Sequence, residues 1–121
     1  MPRVISMHEY ILKEGISGKD FEHAVQLARQ LELFELPGIT SCTFLHGMRG
    51  KRHGMYAAVW IYDSLESWEA MWGVLDQPIP KSEYPKSWQI WEQEILSPLL
   101  DRPPDEIEFT AYLELNSESI Y

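Results

Sequence analysis

Four segments of the chain alternate apolar and polar residues, and the stretches between them repeat apolar residues at intervals of three and four. Alternation is typical of a β-strand with two different faces, and the wider spacing is typical of an amphipathic helix. The alternating segments predict strands at residues 4–12, 39–48, 55–62 and 106–115. The helical spacing predicts helices at residues 19–35, at residues 64–75 and from near Pro85 onward.

Short polar signals mark the ends of these elements. Ser17 to Asp20 resembles a helix cap with an acid in the first turn, and Pro37-Gly38 ends that helix. Asp63 with Glu66 three residues later is a capping-box pattern, so the second helix is expected to begin there. The link from Arg49 to Gly54 is short and polar and contains two glycines, which indicates a hairpin turn.

The predicted order is strand, helix, strand, strand, helix, strand, with the second helical region broken in two. This is the ferredoxin-like βαββαβ order of α+β proteins, in which helices cover one face of a four-stranded antiparallel sheet. The 121 residues contain no repeat and no linker long enough to separate domains. Residues 1–121 are therefore expected to form a single domain.

The second face of the sheet needs another cover, because one chain supplies helices for only one side. The last strand has an apolar face, and Thr110 and Tyr112 lie on its other face. In the first strand, Ile5 and Met7 alternate with Ser6. A sheet with a large apolar face left over commonly buries it against a partner. We therefore expect a homodimer that pairs sheet face on sheet face.

The net charge of the chain limits the classes of partner that it is expected to bind. The net charge of −9 disfavours nucleic acid and an anionic membrane surface, both of which attract basic proteins. No apolar run approaches the ~18–20 residues of a membrane span. The single cysteine, Cys42, fits a reducing compartment, and the N-terminal residues lack a signal-peptide pattern, so a cytoplasmic location is expected.

Candidate binding residues follow from the period of two along the strands. Ser6, His8 and Tyr10 share one face of the first strand. The candidates on the second and third strands are Phe44, His46, Tyr56, Trp60 and Tyr62. If these faces line one pocket, its walls are aromatic and suit a hydrophobic or aromatic small molecule. His8 is the candidate catalytic base, because an ordinary histidine pKa near 6.5 permits proton transfer at neutral pH.

Several motifs resemble the dimeric α/β-barrel superfamily, and in particular its antibiotic-biosynthesis-monooxygenase-like and related uncharacterised groups. The run from Tyr10 to Gly15 resembles the first strand and turn of that superfamily. Leu36-Pro37-Gly38-Ile39 resembles the start of the second strand, and Val59-Trp60 with Ser67-Trp68-Glu69-Ala70 resembles the third strand and the helix behind it. The resemblance implies a barrel made of two four-stranded sheets across a dimer, with a pocket between each sheet and its helices.

The resemblance also limits the chemistry. The superfamily includes cofactor-free oxygenases, haem-degrading enzymes and proteins without a known reaction, so the fold alone does not select one. Haem degraders of the superfamily use a helix histidine as the iron ligand, and residues 64–100 contain no histidine. The leading expectation is therefore a monooxygenase-like enzyme without a cofactor. A haem-related protein with a non-standard ligand stays open.

Two other interpretations compete with an enzymatic function. Aromatic residues at strand spacing also form ordinary core, and a pocket with no chemistry would make the protein a non-catalytic binding or sensing module. An enzyme requires His8 to face an open cavity with a second polar group in reach, whereas a filled pocket would oppose both functions. The four histidines and the single cysteine show no metal-ligand spacing, so no metal site is predicted.

Overall fold

The computed structural model describes residues 2–115. Its first half comprises β1 (Val4–Tyr10), α1 (Gly18–Gln30), β2 (Ile39–His46) and β3 (Tyr56–Tyr62). Its second half comprises α2 (Leu65–Trp72), a short ribbon of β4 (Gly73–Val74) with β5 (Gln77–Pro78), α3 (Lys86–Ile90) and β6 (Phe109–Leu113). A π-helical segment, Trp91–Leu96, continues α3, and short 3₁₀ turns complete the chain.

The large sheet has the strand order β2-β3-β1-β6, and all its pairings are antiparallel. This is the ferredoxin-like α+β fold that the sequence predicts. The hairpin between β2 and β3 is confirmed by their pairing from Ile39 with Tyr62 to His46 with Tyr56. The predicted first strand is too long, because regular pairing ends at Tyr10 and Leu12 makes only an isolated bridge to Leu100.

The pairing register divides the sheet into two faces. The helix-covered face carries the alternate residues of β3 from Tyr56 to Tyr62, of which Ala58 and Trp60 are completely buried. The opposite face, called here the outer face, carries Ile5 and Val59, which are only partly buried. The described chain therefore packs its core on one side of the sheet and leaves the outer face without a helix.

Two predicted boundaries of α1 and α2 are wrong for local reasons. The first helix ends at Gln30 rather than at residue 35, and Glu32 adopts a left-handed conformation with φ 58°. This turn reverses the chain and directs Leu33 and Phe34 into the core, where each is buried. The second helix is capped by Ser64, whose hydroxyl accepts from the Ser67 amide, and not by the Asp63 that the pattern predicts.

The third helix buries a different residue from the one that regular spacing predicts. An unbroken α-helix would place Trp88, Trp91 and Ile95 on one face. The π turn inserts an extra residue, so that Leu96 rather than Ile95 is buried beside Trp91. The predicted helix at residues 64–75 would place Leu75 on the core side with Trp68, Met71 and Trp72, but α2 ends at Trp72 and leaves Leu75 76% exposed.

Candidate functional site

The seven residues predicted for the site lie on the helix-covered face of the sheet. Strand pairing places His8 opposite Ala58, Tyr10 opposite Tyr56, and Phe44 on the other side of Ala58. Because Ala58 has a small side chain, the larger rings around it lean together. The structure brings His8, Tyr10, Phe44 and Trp60 into one aromatic layer beneath α3 and the π-helical segment.

His8 has one polar neighbour and an aromatic enclosure. Its Nε2 lies 3.2 Å from the Oγ of Ser6, which is itself buried. Three rings surround the imidazole, with centroids 5.8 Å away for Trp60 and 5.9 Å away for both Trp88 and Phe109. The sequence interpretation missed Trp88 and Phe109, because helical spacing and an edge strand assigned them to packing alone.

Burial in this enclosure lowers the pKa of His8 to about 4. The charged imidazolium loses its hydration there and gains no opposite charge, so the neutral ring is favoured. The neutral ring has one protonated and one unprotonated nitrogen, and can therefore exchange a hydrogen bond with the Ser6 hydroxyl while accepting or donating at its other edge. The lowered pKa of His8 differs from the ordinary histidine pKa near 6.5 that the sequence analysis used.

The other predicted residues lie apart from His8. His46 stacks on Tyr56 at 4.5 Å near the hairpin, and the Tyr56 hydroxyl donates a 2.7 Å hydrogen bond to Glu22. Tyr62 lies at the opposite end of β3, where its hydroxyl accepts a 3.0 Å hydrogen bond from the Trp72 indole. The hydroxyls of Tyr56 and Tyr62 therefore have partners of their own, at a distance from the His8 imidazole along the strand.

Glu92 is a second titratable group close to this layer. It lies on the π-helical segment, and its partial burial raises its pKa to about 7. The indole of Trp88 and the charge of Lys81 oppose that rise, whereas Asp105 adds to it. Glu92 lies four residues after the buried Trp88, and so on the same side of the helix, although a carboxylate there looks solvated in sequence.

Cavities lie near the aromatic layer but not beside the imidazole. An open cleft of about 510 Å³ follows the free edge of β2, and a smaller one of about 300 Å³ lies between α2 and the Pro85 turn. His8 lines neither of them. The space that an enzyme would need beside His8 is filled by Trp88 and Phe109. The indole of Trp88 also packs against Trp60, with ring centroids 4.9 Å apart.

Neither the cysteine nor the acids form an evident reactive cluster. Burial raises the pKa of Cys42 to about 12, although the nearby Arg29 opposes this, so its thiol stays protonated at neutral pH. Among residues 2–115, no three histidine, cysteine or acidic side chains gather as a metal site would require. Between residues 2 and 115, no helix has the length and apolar character needed to span a bilayer.

No protein-family model and no curated protein matches this chain in sequence. Solved structures do match it. A dabb family protein with a ferredoxin-like fold from Mesorhizobium loti gives a TM-score of 0.63 at 10% identity, over 96% of this chain and 100% of that one. A dimeric ferredoxin-like protein of unknown function from Thermobifida fusca gives 0.58 at 11% identity, over 93% and 91%.

The cofactor-independent oxygenase SnoaB from Streptomyces nogalater gives a TM-score of 0.60 at 11% identity, over 97% of each chain. This chain has the ferredoxin-like fold of these structures. Antibiotic-biosynthesis-monooxygenase-like proteins share that fold, so the resemblance predicted from the motifs is confirmed at the level of architecture. Sequence identities this low support a shared fold but do not support a shared reaction.

Proposed function

We propose that this protein is a monooxygenase-like enzyme without a cofactor, acting on an aromatic or hydrophobic small molecule, with His8 as the proton acceptor. The observation that supports this most directly is the neutral imidazole of His8, 3.2 Å from a buried serine hydroxyl and enclosed by three aromatic rings. Apolar walls with few polar groups suit a flat organic molecule. The same arrangement supplies one group that can take up a proton.

His8 would act by removing a proton from an acidic O–H or C–H bond of the bound ring. The imidazolium formed in this step would lie against the new anion, and an opposite charge at contact distance raises a histidine pKa. The imidazolium and the substrate anion would therefore stabilise each other in a site that disfavours either charge alone. Molecular oxygen would be the oxidant: the carbanion would form a C–O bond to it, the imidazolium would return its proton to give a hydroperoxide, and loss of water would leave a carbonyl on the ring.

Because Trp88 and Phe109 fill the space beside His8, this function requires one of these rings to move when the substrate binds, and Phe109 is the proposed gate. It belongs to the edge strand β6, opposite His8 in the register, and 59% of its surface is exposed. Rotation of an exposed ring on an edge strand disturbs little packing. A planar substrate would take the place of this ring against the imidazole, with Trp60 and Trp88 as the remaining walls.

The His8→Gln variant tests the proton transfer. Oxygen consumption would be measured with a panel of naphthols and anthrols, and the variant is expected to lose at least about 100-fold in turnover, the usual contribution of a general base. His23→Gln, which changes an exposed histidine of α1, is the matched control and should retain full activity. Equal turnover by His8→Gln and the unchanged protein would show that His8 is not the base.

The second candidate is a non-catalytic binding module, favoured by the position of the large cleft. That cleft of about 510 Å³ lies at the edge of β2 and is separated from His8 by the rings of Phe34 and Trp60. A molecule bound there without contact to the imidazole would undergo no proton transfer. Saturable binding of an aromatic compound with no oxygen consumption would favour this function over the first.

We also propose that two copies of the chain pair through the outer face. Ile5, Val59 and Ile61 are partly buried there, and Leu45 and Tyr112 are 42% and 56% exposed. A contiguous apolar face of this kind is typical of a protein–protein contact. The matched protein from Thermobifida fusca is described as dimeric, which supports a second copy as the occupant.

The Val59→Lys variant tests this dimer, because it adds a charge at the centre of the outer face. Sedimentation velocity at micromolar concentration should show a dimer for the unchanged protein and a monomer for the variant, since an unpaired charge in such an interface is strongly unfavourable. Gln26→Lys places the same charge on the exposed side of α1 and should remain dimeric. A monomeric unchanged protein, or a dimeric Val59→Lys variant, would contradict the pairing.

A further inference from the structure

Three buried hydrogen-bond donors in the aromatic layer have no acceptor. The hydroxyl of Tyr10 and the indole nitrogens of Trp60 and Trp91 make no hydrogen bond to any residue from 2 to 115. All three side chains are 0% exposed. A buried donor without a partner is destabilising, and native proteins contain few of them. Three in one layer therefore point to a group that the folded chain does not itself provide.

The rings that carry these donors surround a single side chain, Phe44. Ring centroids lie 6.4 Å from Phe44 for Tyr10, 5.9 Å for Trp60 and 5.7 Å for Trp91. The Trp60 indole acts as a weak donor toward the Tyr10 hydroxyl, and this interaction opposes the rise in the Tyr10 pKa. Its geometry falls short of a full hydrogen bond, so these two neighbouring donors leave each other unsatisfied. Phe44 thus packs against all three rings that carry these donors and, as a hydrocarbon, offers none of them an acceptor.

Phe44 is also the residue best placed to move. It belongs to β2, an edge strand of the sheet, and is only partly buried. The cleft of about 510 Å³ is lined by Phe34, whose ring centroid lies 5.2 Å from that of Phe44, and by Cys42, which shares the face of Phe44 on the strand. The guanidinium of Arg29 covers Phe34 at 5.5 Å and Phe44 at 5.7 Å, so one exposed cation closes this side of the layer.

We infer that Tyr10, Trp60 and Trp91 form a binding site for the carbonyl oxygen of an uncharged aromatic ketone, and that Phe44 is the plug this ligand displaces from the β2 edge. Indole nitrogens only donate hydrogen bonds, so the ligand atom must be an acceptor. Its ring would replace the ring of Phe44 among the same aromatic walls. The nearby carboxyl group of Glu92 would repel an anionic oxygen, which favours a neutral carbonyl.

This inference names the ligand class for the aromatic layer. It rests on the proposed function only for the claim that the ligand bound here is also the one that reacts. Binding itself needs no contribution from His8, which lies on another side of the Trp60 ring from Phe44. The two proposals can therefore fail separately.

The test uses 1-indanone as the probe and indane, which lacks only the carbonyl, as its matched control. The five tryptophans give separate indole N–H signals in a nitrogen–proton NMR spectrum, and Trp60→Phe and Trp91→Phe assign the two that matter. Phe44→Ala opens the space by truncation, as apolar cavities made in this way take up small aromatic molecules. In this variant, 1-indanone should shift the Trp60 and Trp91 signals and bind at least tenfold more tightly than indane.

Further variants separate the outcomes. Tyr10→Phe in the Phe44→Ala background should weaken 1-indanone about fivefold and leave indane unchanged, and Phe44→Leu serves if Phe44→Ala does not fold. His8→Gln should leave binding of the probe intact even where it abolishes turnover. Equal affinity for 1-indanone and indane would overturn the inference. So would a long-lived water detected at both indole groups that the probe fails to displace, because water would then be the missing acceptor.

Discussion

The His8→Gln variant is expected to become more stable as the pH falls from 7 to 4.5, whereas Glu92→Gln becomes less stable between pH 6.5 and 4. In the unchanged protein, the combined effect of these two groups should make stability depend only weakly on pH. The reason is that burial shifts their pKa values in opposite directions, to about 4 for His8 and to about 7 for Glu92. Each variant removes one of two opposing effects.

The signs follow from proton uptake. Below pH 6.5 the unfolded chain protonates His8 while the folded protein does not until about pH 4, so acid removes up to about 3 kcal/mol of stability. Glu92 has the opposite effect, because acid increases its contribution to stability. Below pH 7 the folded protein protonates Glu92, whereas the unfolded chain does so only below about pH 4.5. Its contribution is smaller, about 2 kcal/mol, since this carboxyl group keeps some contact with water.

Urea unfolding at pH 7.5, 6.5, 5.5 and 4.5 measures these slopes at one fixed protein concentration. His23→Gln and Glu94→Gln change exposed residues of the same types and serve as matched controls. Comparison with these controls cancels the titration of every other group. Parallel pH profiles for His8→Gln and the unchanged protein would mean that the imidazole is hydrated rather than enclosed by the aromatic rings.

Leu96→Ala is expected to destabilise the protein by about 3 kcal/mol, within the usual range for a fully buried leucine. Leu96 is 1% exposed at the end of the π-helical segment, beside Trp91. Ile95→Ala should cost about 1 kcal/mol, because Ile95 is only partly buried and leaves a smaller cavity. A regular α-helix predicts the opposite order, since Ile95 lies four residues after Trp91.

The same urea experiment compares these two variants at neutral pH. The pair is matched in composition, because each replaces a four-carbon aliphatic side chain with alanine one residue apart. A larger loss for Ile95→Ala than for Leu96→Ala would show that the helix is regular in solution.

Much of the fold was predictable because its signals are local. Strict alternation in β3 identified Tyr56, Ala58, Trp60 and Tyr62 as one face, and the pairing register confirms that this face meets the helices. The cap at Ser17 is confirmed, with its hydroxyl and the Asp20 carboxylate each accepting from the other's backbone amide. These features depend on neighbours within four residues, which the sequence shows directly.

The candidate site was only partly predictable. The sequence placed His8, Tyr10, Phe44 and Trp60 on one face, and the structure brings them together. It did not show that Trp88 fills the space over His8, because that contact joins residues 80 positions apart. Nor did it single out Trp91, whose unpaired donor becomes evident only once its packing against Phe44 is known.

By itself the sequence determined the order of the strands and helices, the residues that share each strand face, and the excess of negative charge. Those properties follow from backbone periods of 2 and 3.6 and from composition. The tertiary structure alone decided which rings enclose His8, how far Glu92 is buried, and which donors stay unpaired in the rings that pack on Phe44. These depend on close packing between distant segments, where a shift of one residue changes what a side chain touches.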